Sequence, residues 1–213
     1  MPRRPLDLSL YLIVSAADTG PTPMVETVLK AVEGGVTVVQ LREKNASTRD
    51  QIERARHLKA LLAPRGVPLL VNDRVDVALA ARADGVHLGQ DDMSPRDARR
   101  LLGESVIIGL SVGDEAEART ADPELVDYVG IGPAFATGTK ADAGAAIGPE
   151  GVAALRQRVG LPGVAVGGIG LGNAADLRET GIEGIAVVSA ICAAEDPKAA
   201  AEALRAAFAP SGR

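Results

Sequence analysis

Eight short runs with strand character recur along this 213-residue chain, and their strict alternation with helical segments constrains its fold more than any other feature. The runs cover residues 10–14, 36–40, 68–71, 85–88, 106–110, 128–131, 163–166 and 184–188. Between them stand Ala-rich, charged stretches with helical spacing, among them 24–32, 48–62, 95–102, 149–158 and 197–207. Glycine stands between a helix end and the next strand in Glu33-Gly34-Gly35, Arg65-Gly66, Ala83-Asp84-Gly85 and Ile182-Glu183-Gly184, as C-terminal caps require. Strands separated by helices pair in parallel, and eight of them close into a ring without an exposed edge. The expected fold class is therefore α/β, a single compact (β/α)8 TIM barrel. One domain is expected over 1–213, with the barrel over about 8–208 and short tails. An open doubly wound sheet competes, but the glycines after the first run form no dinucleotide fingerprint and no linker divides the chain.

Aromatic residues make up only 2% of the sequence and tryptophan is absent, so the core is expected to consist of Val, Ile, Leu and Ala. A net charge of -5 gives no overall cationic field for nucleic acid or acidic lipid, so phosphate chemistry must use positive charge gathered in a cleft. The lone cysteine, Cys192, cannot form an internal disulfide and reads as a small core residue. Arg3 and Arg4 precede a short apolar run in a superficial imitation of a secretory signal, but that run works better as a first strand. No stretch approaches the roughly 20 apolar residues needed to cross a bilayer. A cytoplasmic protein acting on small phosphorylated molecules is expected, without nucleic-acid or membrane partners; assembly into a homo-oligomer stays open.

Barrel enzymes carry their chemistry in the loops that follow strands. After the second run, Gln40, Arg42 and Lys44 occupy alternate positions and can point together into the barrel mouth, a planar donor fork beside a compact charge that suits a diphosphate. After the third and fourth runs stand Asn72-Asp73 and Gly89-Gln90-Asp91-Asp92, whose carboxylates can share a hard divalent ion such as Mg2+. The alternatives there are pairing of Asp73 or Asp76 with Arg74 and helix capping by Asp91 or Asp92. His57 and His87 read as structural. Ser111 offers a hydroxyl at the rim. The long segment from Gly130 to Gly148 includes Thr137, Thr139 and Lys140, and reads as a lid over a phosphate. Gly167-Gly168 and Val188-Ser189 suit a second phosphate held by backbone N–H groups, with Ser189 opening the last helix.

The blocks Gln-Leu-Arg-Glu-Lys (40–44), Val-Asn-Asp (71–73), His-Leu-Gly-Gln-Asp-Asp (87–92), Gly-Pro-x-Phe-x-Thr-x-Thr-Lys (132–140), Val-Gly-Gly-Ile (166–169) and Val-Ser-Ala-Ile (188–191) together resemble the thiamine phosphate synthase family, from Tyr11 to about Ala207. The resemblance implies that Gln40, Arg42, Lys44, Asn72, Ser111 and Lys140 bind an aminopyrimidine diphosphate. Asp73 and Asp92 would hold one Mg2+, with Asp91 a neighbour rather than a ligand. Thr137, Thr139, Gly168, Val188 and Ser189 would bind a thiazole phosphate. It further implies a dissociative displacement of pyrophosphate, with Arg42, Lys44, Lys140 and Ser111 as the catalytic groups. After the first run the family often has an acidic residue where this chain has Ser15-Ala16-Ala17-Asp18. A thiazole-phosphate tautomerase on the same barrel, a non-catalytic binder of thiamine intermediates, and another sugar-phosphate barrel enzyme are the alternatives.

Overall fold

The computed structural model describes residues 6–20, 22–138 and 144–209. Eight parallel strands follow one another in chain order around a closed barrel: β1 (Leu10–Val14), β2 (Val38–Leu41), β3 (Leu69–Asn72), β4 (Gly85–Leu88), β5 (Ile107–Val112), β6 (Tyr128–Ile131), β7 (Gly163–Val166) and β8 (Gly184–Val187). The ring shuts where Leu10, Tyr11 and Leu12 pair with Ile185, Ala186 and Val187. Outside it run α1 (Met24–Glu33), α2 (Thr48–Leu62), α3 (Val75–Ala81), α4 (Pro95–Leu102), α5 (Glu115–Ala118), α6 (Gly148–Arg158), α7 (Ser189–Cys192) and α8 (Pro197–Phe208), with 3-10 turns at Ala63–Arg65 and Ala174–Thr180. This is the (β/α)8 architecture the alternation predicts.

Local chemistry explains where the elements begin. Ser47 caps α2 by accepting the Asp50 N–H, and Ser94 caps α4 by accepting that of Asp97, in each case with proline or an acid in the first turn. Strand β2 starts two residues later than expected because the Val36 N–H turns back to the Ala31 carbonyl at the end of α1. Strand β5 runs on to Val112, which places Ser111 inside the strand rather than after it. Two of the glycines expected to cap helices do something else. Gly85 and Gly184 are the first residues of β4 and β8, where a Cβ would collide with the carbonyl oxygens of Ile107 and Leu8. The left-handed caps before those strands are Arg82 and Gly181.

The larger core lies between sheet and helices and is aliphatic as expected, with Leu12, Val39, Leu58, Leu69 and Ile108 among its members. The barrel interior departs from that expectation. Leu8, Ile13, Val38, Leu70, Val164 and Ala186 are joined there by Tyr11 and Tyr128, the only two tyrosines of the chain.

The lower end of the barrel is held by a device repeated at alternate strands. The residue immediately before each even-numbered strand accepts a hydrogen bond from a main-chain N–H of the preceding odd strand. Thr37 Oγ1 takes Leu10 N at 3.2 Å, Asp84 takes Leu69 N at 2.9 Å, Asp127 takes Ile108 N at 2.7 Å and Glu183 takes Gly163 N at 2.8 Å. Each of the three carboxylates also pairs with a cation from a helix: Lys59 on α2, Arg99 on α4 and Arg156 on α6. Arg99 is almost fully buried and also donates to the carbonyls of Gly103, Val106 and Leu125.

Removing Arg99 leaves the part-buried Asp127 carboxylate and three carbonyls without their donor, and breaking a buried pair in this way costs about 3–5 kcal/mol. Arg99→Ala should therefore lose about that much in urea unfolding, whereas Arg100→Ala, an exposed neighbour paired among the described residues with Asp97 alone, should change stability by less than about 0.5 kcal/mol. Equal midpoints for the two variants would refute the role assigned to Arg99.

Candidate active site

At the upper ends of the strands two adjoining cavities open, of about 330 and 590 Å³, each within the range of small-molecule sites. The smaller is lined by Gln40, Arg42, Lys44, Asn72, Asp73, Asp92 and Ser111, from β2 through β5. These residues, scattered over 72 positions of sequence from 40 to 111, are brought to one wall by the register of neighbouring strands. Lys44 donates to the Asp73 carboxylate at 2.6 Å. Arg42 lines both cavities, and among the described residues its guanidinium has no ion-pair partner. Between these cations, Glu43 faces the other way, its carboxylate accepting the Ala16 N–H and pairing with Arg54.

Asp73 sits in the left-handed region, at φ 61°, a conformation uncommon outside glycine and tolerated where the surroundings enforce it. Its N–H is tied to the His87 carbonyl at 2.8 Å. The Asp73 and Asp92 carboxyls are hydrogen-bonded neighbours. Burial raises the Asp73 carboxyl, but hydrogen bonds from Lys44 and Asp92 outweigh it and hold the group below the usual carboxylate range. Burial and the same contact with Asp73 push Asp92 up. Two carboxyls this close repel when both are ionised, and a cation between them removes the conflict.

The alternative of pairing with Arg74 holds for Asp76 and not for Asp73. The cap of α4 is Ser94, while Asp92 accepts the Gly89 N–H at 2.7 Å within its own turn. Among the described residues no group of three or more His, Cys, Asp or Glu side chains forms a self-sufficient metal cage. Two carboxylates beside a cationic wall fit an ion such as Mg2+, which keeps several waters and takes further ligands from substrate phosphate.

The larger cavity is lined by Thr137, Gly168, Val188 and Ser189, again as a group. Thr139 and Lys140 lie outside the described residues. The neck of the segment between β6 and α6 is closed on itself, since Ile147 N donates to Pro133 O and Gly148 N to Ala134 O. It is also fastened to β7 by Ala134 N to Val166 O and Phe135 N to Gly167 O. Gly167 and Gly168 take positive φ of 101° and 63°, and a Cβ on either would strike Pro133 or the Phe135–Ala136 backbone. Their first duty is thus to let the neck approach. Ser189 opens α7, a four-residue helix, and not the last helix α8, which Asp196 caps.

His57 is exposed on α2, consistent with a structural or solvated histidine. His87, read as structural, is hydrogen-bonded on both ring nitrogens, to Tyr128 through Nδ1 at 2.8 Å and to Ser111 through Nε2 at 3.0 Å, and it also lines the smaller cavity. Tyr11 and Tyr128 form the floor of the same cavity and were invisible as site residues in the sequence. The signal that could have found them is the pair of glycines on inward positions of β5 and β6. A Cβ on Gly109 would overlap the Tyr128 ring, and one on Gly130 would lie 3.1 Å from His87 Cε1.

Comparison with known proteins agrees with this arrangement. The family model described as thiamine monophosphate synthase matches residues 10–191. The thiamine-phosphate synthase of Xanthobacter autotrophicus is 56% identical over 204 residues, covering 96% of this chain and 97% of the relative. That of Azorhizobium caulinodans is 53% identical, covering 94% and 95%. A solved thiamine phosphate pyrophosphorylase from Pyrococcus furiosus superposes with a TM-score of 0.86 at 42% identity, covering 95% of this chain and 96% of that one. A 3-hexulose-6-phosphate synthase superposes with a TM-score of 0.68 at 20% identity, a likeness of fold alone.

The electrostatics of the smaller cavity give a direct test. Because Asp73 is depressed in the folded state, it contributes stability above its unfolded-state value, and that contribution is lost as pH falls through the folded value. Lys44→Met removes the hydrogen bond that most lowers it. The Asp73 carboxyl should then titrate at higher pH in a carbon-13 NMR titration, and the acid-side stability it confers should shrink. An unmoved titration would mean that Lys44 does not govern this acid.

Proposed function

We propose a reaction for this site from the premise that the chain belongs to the thiamine monophosphate synthase family. Like its named relatives, it is a transferase that forms thiamine phosphate and releases pyrophosphate. The proposed donor is an aminopyrimidine carrying a diphosphooxymethyl group, seated in the smaller cavity. The acceptor is a methylthiazole bearing a phosphoethyl group, or its carboxylated form, seated in the larger one with its phosphate near Thr137, Thr139, Gly168, Val188 and Ser189.

The bond between the pyrimidine methylene carbon and the diphosphate oxygen breaks, and its electron pair leaves with pyrophosphate. The amino group of the ring stabilises the carbon cation that remains. The thiazole nitrogen then gives its lone pair to that carbon, closing the new C–N bond. The observation that carries this reading is the convergence of Arg42, Lys44, Asp73 and Asp92 on one wall, next to a second cavity with which they share Arg42 and Ser111. Arg42 and Lys44 bind the diphosphate and stabilise charge as it departs, and Lys140 is assigned the same task. Mg2+, held by Asp73 and Asp92, would neutralise charge on the leaving group. Asn72 and Gln40 hold the pyrimidine, and the apolar wall of Ile13, Val166 and Ala186, common to both cavities, limits the water that could quench the cation.

Purified protein incubated with the two substrates and Mg2+ should yield thiamine phosphate and one pyrophosphate per turnover. Excess EDTA should abolish release, and added Mg2+ should restore it; release that continues unchanged in EDTA would remove the metal from the scheme. Asp92→Ala and Lys140→Ala should each lower kcat by about 10²-fold or more while far-ultraviolet circular dichroism stays that of the parent. Parental turnover in either variant would contradict its assigned role.

A further inference from the structure

The turn that follows β7 is closed by a side-chain clasp. Asn173 stands where the 3-10 turn Ala174–Thr180 begins, a place from which an asparagine side chain ordinarily caps the N–H groups ahead of it. Here it makes no such cap and reaches back instead. Its Oδ1 accepts the Gly170 N–H at 2.9 Å, and its Nδ2 donates to the Gly168 carbonyl at 2.9 Å. The main-chain partners settle which end of the amide is which, because an N–H only donates and a carbonyl only accepts. The Gly170 carbonyl is held as well, by the N–H groups of Asn173 and Ala174 at 3.2 and 2.9 Å.

The consequence falls on one peptide plane. The Gly168–Ile169 bond is trans, since the cis peptide among the described residues is Gly132–Pro133. In a trans peptide the carbonyl and the N–H point in opposite directions. With the Gly168 carbonyl drawn to Asn173, the Ile169 N–H is turned away from it. Gly168 and Ile169 line the larger cavity beside Val188 and Ser189, whereas Asn173 lines neither cavity. Among the described residues the N–H groups of Gly168 and Ile169 meet no acceptor, while that of Gly170 is taken by the clasp. Two donors are thus left for a ligand and a third is withdrawn.

We propose that Asn173 is a positioning residue for the acceptor: it braces the turn from Gly167 to Gly170 so that the N–H groups of Gly168 and Ile169 meet the phosphate of the phosphoethyl arm, and so sets the preference for the phosphate ester over the corresponding alcohol. This rests on the acceptor site proposed above and names a residue through which that site acts. Glycine at 167 and 168 is required by positive φ and by the close approach of the neck, yet glycine is also the residue most free to leave such a shape. Stiffness must therefore come from a side chain elsewhere. A turn held in place beforehand avoids the ordering cost that binding would otherwise carry, and N–H groups directed at an oxyanion form strong, charge-assisted bonds. Asn173 touches neither the phosphate nor the reacting atoms; it acts through Gly168 and Gly170.

The test measures, by calorimetry on the full chain, the binding of the thiazole phosphate and of its dephosphorylated alcohol to the parent and to Asn173→Ala. The parent should prefer the ester, and the variant should lose that preference by about tenfold or more, while its affinity for the alcohol stays within about threefold. A preference kept within about twofold would overturn the proposal, and so would an equal loss for ester and alcohol, the mark of general damage to the turn. A second measurement needs no variant. Inorganic phosphate added to nitrogen-15-labelled parent should shift the amide resonances of Gly168 and Ile169 and leave that of Gly170 nearly still. A larger shift at Gly170 would mean that the clasp yields its N–H to the anion, and would sink the assigned role. Parent protein that preferred the ester but formed no thiamine phosphate would defeat the proposed reaction instead, and the same binding comparison would still decide the part played by Asn173.

Discussion

The ring of strands depends on how its lower end is tied. Each strand is only four to six residues long, so few ladder hydrogen bonds join any neighbouring pair, and the last link between β8 and β1 rests on three residue pairs. The carboxylates of Asp84, Asp127 and Glu183 add bonds to main-chain N–H groups just where odd strands begin, and Lys59, Arg99 and Arg156 lock those carboxylates to the helix layer. Sheet and helices are thereby held in register at the end that does no chemistry. The opposite rim can then carry arrangements that destabilise a fold, a left-handed Asp73 and two carboxyls in contact, because the frame beneath them is over-determined.

This division explains why the sequence spoke clearly about some residues and not others. Arg42, Lys44, Asp73 and Asp92 all stand in the first few residues after a strand, and a barrel turns that position into a shared rim, so counting strands was enough to gather them. The Asp84, Asp127 and Glu183 ties stayed hidden because an acid before a strand looks like any loop residue until its distant N–H partner is known. His87 was hidden for another reason. In the stretch Gly85-Val86-His87-Leu88, alternation sends one set of side chains inward and the other toward helices, and composition alone does not say which. Glycines 109 and 130 held the missing information, since small residues at inward positions signal that a neighbour's ring occupies the space.

Glycine was also where sequence reasoning mistook one physical need for another. Positive φ and close approach both select a missing Cβ, and the chain uses each. Gly66 and Gly181 turn left-handed at helix ends, while Gly85 and Gly184 are strand residues crossed at short range by a neighbouring carbonyl. Gly167 and Gly168 answer to both at once, which is why a turn legible as a phosphate cradle is equally the seat on which the neck of the β6–α6 segment rests.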